Sequence, residues 1–419
     1  MRIVHINASD INGGAARAAY RIHHGVLEKG EESIFFVKDK QSDDKTVVSV
    51  SSKKEKVKQN IARVFDLSVY CCSNVTKKTT WSIGENIFSR VGCINALKPD
   101  IINLHWINGD FINIRDLRRL NAPIVWTLHD MWPFTGGCHY NSDGCYKYKS
   151  SCHNCEQLLG DARKDLSKWV FKRKADLFPD HMTIVTPSNW LGQEARSSRL
   201  FSKYNVEVIH NGIDTNKYFP RNRDLARELL GLPKDKRIVL FGAMSSTSDK
   251  RKGFQYLYPA IRSLYDNHKE YRGKVNIVVF GSSGPKDMVD FGFGVKYTGH
   301  LYDDISLNLL YSAADVMVVP SHADNFPNTI LEAMACGTPC VGFDVGGIPD
   351  FIEHKKDGYI AQPYDINDLA NGILYVIENK DREYNMSVAA RNKVLESFSL
   401  KIVAEKYITL YRNVLTKDG

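Results

Sequence analysis

The sequence predicts an α/β chain built from two doubly wound parallel sheets, one in each half. Short apolar runs such as Ile101–Leu104, Ile124–Leu128 and Val316–Pro320 recur along it, and none alternates cleanly. Continuous runs of this kind suit strands buried on both faces. Helix-period segments separate them, as crossover helices separate parallel strands. A length of 419 residues exceeds one ordinary core, so two domains of roughly 200 residues each are expected.

Taken in order, Ile3–Ile6 reads as a strand, Asn7–Gly14 as a loop and Ala15 to about Lys29 as a helix. Ser33–Val37, Ile101–Leu104, Ile124–Leu128, Thr183–Thr186 and Val206–Ile209 follow as strands. Asn211-Gly212 then marks a turn, with Pro220 shortly beyond, and a domain linker is placed there. The predicted domains are 1–209 and 210–395, with a helix over 396–419 packing back towards the first. Ile238–Gly242, Val275–Gly281, Val295–Thr298, Val316–Pro320 and Cys340–Phe343 form the second strand series. Two such sheets facing each other leave a cleft at the carboxyl ends of their strands, where ligands bind.

A composition of 43% hydrophobic and 25% charged residues is that of an ordinary globular protein. No run of 18 apolar residues appears, so no spanning helix is expected. Met1-Arg-Ile-Val-His-Ile-Asn enters a strand at once, without the layout of a signal peptide, and a cytoplasmic protein is expected. The net charge of +8 concentrates in Lys53–Tyr70 and Arg163–Phe178, where apolar residues are interleaved. Each segment suits either a helix lying on an anionic membrane or one packing its stripe on a sheet. The first would place the protein peripherally at the inner face of the cytoplasmic membrane. Without a recognised module, the charge does not argue for nucleic acid.

Four of the nine cysteines cluster as Cys138-x6-Cys145-x6-Cys152-x2-Cys155. Four thiols in a Gly- and Tyr-rich segment fit a tetrahedral structural zinc, although spacings of six exceed the usual ribbon pattern. A zinc site and a metal-free cluster both stay open. Disulfides are disfavoured in a reducing cytoplasm.

The densest chemistry lies in Pro320-Ser-His-Ala-Asp-Asn-Phe-Pro-Asn-Thr-Ile-Leu-Glu-Ala-Met-Ala-Cys-Gly-Thr-Pro-Cys340, closed by Gly346-Gly347. It reads as a strand end, a loop, a short helix near Asn328–Cys336 and a second strand. Pro327 suits the first helical turn, Gly337 the position after the last, and Pro339 blocks continuation. Asp324 stands before the helix and Glu332, eight positions on, inside it. A helix N-terminus at the end of a parallel sheet attracts diphosphates. A carboxylate beside it can accept hydrogen bonds from a ribose, and the combination predicts a nucleotide-sugar site. Thr329-x-x-Glu332 is also a capping-box pattern, in which Glu332 would serve only the backbone.

Other loops are predicted to face the same cleft. Gly13-Gly14 follows strand 1 and opens a helix, so a ligand can approach the backbone closely. It lacks the G-x-G-x-x-G dinucleotide fingerprint. His129 ends a strand and, if neutral, can hydrogen-bond a sugar hydroxyl. His105 and Trp106 end the preceding strand and are expected to shape the acceptor side. Lys250, Arg251 and Lys252 precede Gly253 at a helix start. Lys252 is the candidate cation for a leaving diphosphate, whose charge grows in the transition state.

On these motifs the chain resembles the family 4 (group 1) retaining glycosyltransferases, and nearly all of it takes part. In the first half the matching residues are Gly13-Gly14, Lys98-Pro-Asp-Ile-Ile-Asn-Leu-His105, Leu128-His-Asp130 and Asn211-Gly-Ile-Asp214. In the second they are Lys252-Gly253, Tyr297-x-Gly299, Ala314-Asp-Val316, Pro320-Ser321, Asp324-x7-Glu332-Ala-Met-Ala-x-Gly337-x-Pro339 and Gly346-Gly347. The Cys-containing loop and the Asp-Asn-Phe-Pro-Asn wording resemble enzymes of bacterial exopolysaccharide and O-antigen assembly.

The resemblance implies a GT-B fold, two Rossmann-like domains facing across a cleft, with the acceptor on the first and a nucleotide-sugar donor on the second. It implies a saccharide acceptor, expected to be lipid-linked. By the same resemblance Glu332 binds the ribose, Asp324 contacts the donor sugar and Lys252 holds the diphosphate. The backbone of Phe326, Pro327, Asn328 and Thr329 assists, with Gly346-Gly347 closing the donor site. His129 sits by the donor sugar, and Gly14, beside Gly13, lets the diphosphate or sugar lie close. The acceptor attacks from the leaving-group face and a phosphate takes its proton, so neither a dedicated nucleophile nor a catalytic metal is required. Two positions depart from the pattern: the first acid of the pair is Asp324, one methylene short, and the usual Gly-Arg reads Gly242-Ala243. A nucleotide-sugar epimerase, a sugar phosphorylase and a silent saccharide-binding subunit are the alternatives, since fold alone does not give function.

Overall fold

A computed structural model of the protein describes residues 1–49, 80–86, 88–142, 144–158, 165–242, 249–281, 290–301 and 303–418. The basic segment Lys53–Tyr70, together with Arg163, Lys164 and Ala243, lies outside the described residues. The chain divides into two units, Met1–His210 with Val403–Gly419, and Asn211–Ile402.

The first unit is built on β1 (Arg2–Ser9), β2 (Glu32–Asp39), β3 (Val47–Ser49), β4 (Ile101–Leu104), β5 (Ile124–Thr127), β6 (Thr183–Thr186) and β7 (Asn205–Val208). They pair in the order β3-β2-β1-β4-β5-β6-β7, every pair parallel. β4 and β5 are buried along their whole length, as expected of strands covered on both faces.

The second unit carries β8 (Arg237–Gly242), β9 (Val275–Phe280), β10 (Gly294–Gly299), β11 (Val316–Val319), β12 (Cys340–Phe343) and β13 (Gly358–Ala361). Their order is β10-β9-β8-β11-β12-β13, again parallel. In both sheets the order reverses beside the first strand, between β1 and β4 and between β8 and β11. Such switch points open a crevice at the carboxyl ends of the strands, and ligands settle there.

At the opposite, amino end of the second sheet, Asp315 is buried and paired with Arg227 (2.6 Å), Arg237 (3.0 Å) and Arg223 (3.2 Å). Glu383 joins Arg223 and Arg237 from the helix Lys380–Lys393. The amino ends are thereby closed by structural charges, and the carboxyl-end loops are left for chemistry. Helix starts follow local chemistry: Asp165, Ser188, Asn222, Asp303, Asp365 and Asn379 each accept a backbone N–H, a cap that contributes about 1 kcal/mol.

The last helix, Leu400–Asp418, buries Val403, Tyr407 and Tyr411 with Ile3, Ile22, Ile101, Val125 and Val185 of the first unit. The division falls at 402/403 rather than at 396. The basic helix Leu166–Leu177 turns apolar residues into the core, in keeping with the packing alternative. Its Val170 and Phe171 are buried, and Lys174, read as part of a charged face, is fully buried with its ammonium on the carbonyls of Trp132 and Thr135. Among the described residues, no helix is long and apolar enough to cross a membrane.

Candidate functional site

β8, β11 and β12 deliver three loops to one place in the second unit. After β8 the chain makes a single 3-10 turn, Lys250–Lys252, begun by the Asp249 side chain accepting the Arg251 N–H at 3.0 Å. Gly253 ends that turn at φ +78°, and a Cβ there would lie 1.7 Å from the carbonyl oxygen of Pro320. His322 N donates to the Arg251 carbonyl at 2.8 Å. The two loops are locked together, and Lys252 Nζ reaches Asp324 Oδ2 at 2.7 Å. From the loop after β12, Gly347 N donates to the Asp324 carbonyl at 3.0 Å. Gly346, at φ +56°, passes so close that a Cβ would sit 2.0 Å from the same oxygen. Lys252, Asp324 and Gly346-Gly347, far apart in sequence, therefore meet.

Pro327 is the N-cap of the helix Asn328–Ala335, and no side chain caps that helix. The capping-box pattern is not formed, because Thr329 lies inside the helix. The polarised helix end is open to an anion. Gly337 takes φ +74° just beyond the helix, as the sequence predicts. Glu332 is buried and accepts a hydrogen bond from the Tyr311 hydroxyl at 2.9 Å. Burial, and then the neighbouring carboxylate, hold the Tyr311 phenol well above its ordinary pKa, so it stays a donor. The Phe326 ring is buried and lies tilted against Phe351, centroids 3.9 Å apart, which leaves only its backbone for the role implied above. Of the two cations before Lys252, Arg251 pairs with Asp249 at 2.8 Å and Lys250 is exposed.

In the first unit, Gly13 takes φ +95° before the helix Gly14–Glu28, and a Cβ there would meet no atom within 4 Å. Asp10, fully buried, pins this turn by accepting from the backbone of Ile11, Gln41 and Ser42. His129 is half-buried just past β5, and its Nε2 lies 3.0 Å from His105 Nδ1. Burial lowers its pKa to about 4 against the opposing pull of Asp130, so the ring is neutral at physiological pH. Asp130 accepts from Trp106 Nε1 at 3.2 Å and faces His139 Nδ1 at 2.6 Å.

The four clustered cysteines share one neighbourhood, with Cys152 in electrostatic reach of Cys138, Cys145 and Cys155. Among the described residues no three of their sulfurs lie within 4.8 Å of one another. Cys138 and Cys155 are hydrogen-bonded, which raises the Cys138 pKa and lowers that of Cys155. The group that does gather, His23, His24 and Asp44, is already engaged. His23 lies against Ser33 and Thr46 hydroxyls, and His24 against Asp44 at 2.7 Å.

Sequence reading missed Tyr311, the partner of Glu332. It gave no role to Ser321, named only within the matching Pro320-Ser321 pair, whose hydroxyl is buried beside the Lys252 loop without a partner among the described residues. Tyr311 lies 21 positions before Glu332 on another helix, and no local spacing could signal it. Ser321 stands two residues past the end of β11, in the region where a parallel strand hands its chain to a ligand.

The family described as Glycosyl transferases group 1 matches residues 235–379, and Glycosyltransferase Family 4 matches residues 12–217. A putative colanic acid biosynthesis glycosyl transferase, WcaC of Escherichia coli, is 25% identical over 99% of this chain and 100% of its own length. Among solved structures, sucrose-phosphate synthase from Thermosynechococcus elongatus superposes with a TM-score of 0.67 at 20% identity, covering 99% of each chain. Anabaena HepE, in complex with UDP-glucose, gives 0.64 at 16% identity over 99% of this chain and 100% of that one. Likeness at that identity establishes the two-domain GT-B fold.

Proposed function

The chain belongs to the group 1, family 4 glycosyltransferases, and on that premise we propose that it moves a sugar from a nucleotide-sugar donor to a saccharide acceptor with retention of configuration. The observation that carries this reading is the Lys252–Asp324 pair at the carboxyl ends of β8 and β11. In the same unit lies the uncapped helix Asn328–Ala335. A cation and an open helix N-terminus both stabilise charge developing on a departing diphosphate. Asp324, already paired with Lys252, would take a hydroxyl of the donor sugar, and Glu332, oriented by Tyr311, would take the ribose. Gly13 and Gly14 would admit the donor against the first unit's backbone, with His129 at the sugar. The departing phosphate would collect the acceptor's proton, so the reaction as proposed draws on no metal or other cofactor.

HepE, of the same fold, binds UDP-glucose, which supports a UDP-sugar among the donors to be tried first. The colanic acid relative supports a role in bacterial surface polysaccharide assembly, and a lipid-linked saccharide is the acceptor proposed. The helix Leu166–Leu177 exposes Lys168, Trp169 and Lys172, a basic and aromatic face suited to anionic headgroups at the cytoplasmic side of a membrane.

The experiment is direct. A thermal-shift screen against UDP-, GDP- and dTDP-sugars identifies the donor. Glu332→Gln and Lys252→Ala are then expected to lower transfer on the order of a hundredfold or more in folded protein. Unchanged rates in both variants would remove the site assignment.

A further inference from the structure

Three histidines form one hydrogen-bonded chain through the first unit. His5 lies on β1, His105 directly follows β4 and His129 stands two residues past the end of β5, and these are adjacent strands of the sheet. His5 Nδ1 lies 3.0 Å from His105 Nε2, and His105 Nδ1 lies 3.0 Å from His129 Nε2. The His5 and His105 rings stack at 21°, with centroids 5.4 Å apart. The His105 backbone is fixed by its N–H on the Ile6 carbonyl at 2.9 Å and by Trp126 Nε1 on its own carbonyl at 3.1 Å.

A neutral imidazole carries one proton, so each link must be donated from one ring and accepted by the next. The whole chain then has only two polarities. In one, every proton sits on Nε2 and the chain ends at His5 in a buried N–H. In the other, every proton sits on Nδ1 and the chain ends at His5 in a bare lone pair. His5 is fully buried, and its Nε2 has no hydrogen-bond partner among the described residues. An orphaned N–H is the rarer defect in folded proteins, and an under-used acceptor the more tolerable one.

The geometry points to the second polarity: His105, oriented by His5, donates to His129 Nε2 and fixes His129 with its proton on Nδ1. His5 and His105 are thus positioning residues. Resting on the reading that His129 faces the transferred sugar, the assignment makes His129 a hydrogen-bond donor to a sugar oxygen. It is not a general base, since Nδ1 carries the proton and Nε2 is occupied. Burial holds all three rings below the ordinary histidine pKa, in keeping with a neutral chain.

The test uses full-length protein labelled with 15N-histidine. Two-bond 1H–15N spectra near neutral pH should show His105 and His129 as Nδ1–H tautomers, with assignments from His105→Asn and His129→Gln. Either ring found as the Nε2–H tautomer overturns the inference, whether or not any transfer is detected, so its failure is separable from that of the donor-site reading. In the transfer assay, folded His105→Leu should lose roughly tenfold in kcat, about one hydrogen bond. His105→Asn, which keeps an N–H donor, should recover most of it. A folded His105→Leu enzyme at the native rate would overturn the positioning role. Should that variant not fold, the tautomers of the native protein still decide.

Discussion

At the scale of single residues, the Lys252–Asp324 pair sets the terms for any substitution. Its charges are 2.7 Å apart, and the carboxylate side chain is only 9% exposed. Removing one partner leaves the other half-buried and unpaired, which costs about 1–3 kcal/mol. Asp324→Asn should therefore lower the urea midpoint modestly and abolish most transfer, whereas Asp324→Glu, restoring the usual longer acid, should keep both. Equal activity of the Asn variant and the native enzyme would show that the carboxylate serves only Lys252. Tyr311→Phe is the subtler probe. It removes the hydroxyl that Glu332 accepts and should weaken donor binding several-fold, read as a raised donor KM, with about 1 kcal/mol of stability lost. Lys252, Asp324 and Glu332 are legible in sequence because glycines and prolines stand at fixed offsets around them. Tyr311 and the His5–His105 link are not, because partners contributed by different strands and helices leave no local spacing.

Among elements, the glycines that let loops cross deserve different treatment from the one that faces open space. An alanine at Gly253 or Gly346 meets a backbone oxygen at 1.7 or 2.0 Å, with φ at +78° and +56°. Neither the Pro320 nor the Asp324 carbonyl can step aside without moving its loop. Each variant should lose a few kcal/mol by chemical denaturation and bind donor poorly. Gly13→Ala has φ +95° and ψ 167° but no atom within 4 Å, so it should lose only about 1–3 kcal/mol to backbone strain. Any larger loss of donor affinity in that variant would then report the ligand itself. The strands of both sheets were legible as unbroken apolar runs, and β4, β6 and β12 match their predicted limits. β3 and β13 escaped because three and four residues, the latter opening on Gly358, make too short a run to separate from a turn. Lys174 escaped for another reason. Charge patterning assigns a lysine to solvent, yet here two carbonyls and the Trp132 ring, 3.7 Å from Nζ, replace water. Lys174→Met should cost about 1–3 kcal/mol, since both carbonyls lose their donor.

For the whole molecule, the decisive feature is that the chain returns to its first unit after completing the second. The passages fall at 210/211 and 402/403. The returning helix is part of the first core: Val403, Tyr407 and Tyr411 are fully buried. Tyr411 accepts from Asn103 Nδ2 at 2.6 Å on β4, and Tyr407 lies 3.3 Å from the Thr127 hydroxyl on β5. Burying a large apolar side chain contributes about 1.5–3 kcal/mol, so those three alone supply on the order of 5–9 kcal/mol. That is comparable with the entire net stability of a typical domain, about 5–15 kcal/mol. Truncation after Ile402 should consequently unfold the first unit while Asn211–Ile402 keeps its own two hydrophobic clusters. Calorimetry would then show one surviving transition of reduced enthalpy, and hydrogen exchange would place the loss of protection in β1, β4 and β5. Tyr411→Phe, which keeps the ring and removes one hydrogen bond, should lower the melting temperature of the full chain by only a few degrees. A truncated protein that melts like the intact one would mean that the first sheet carries its stability without the returning helix.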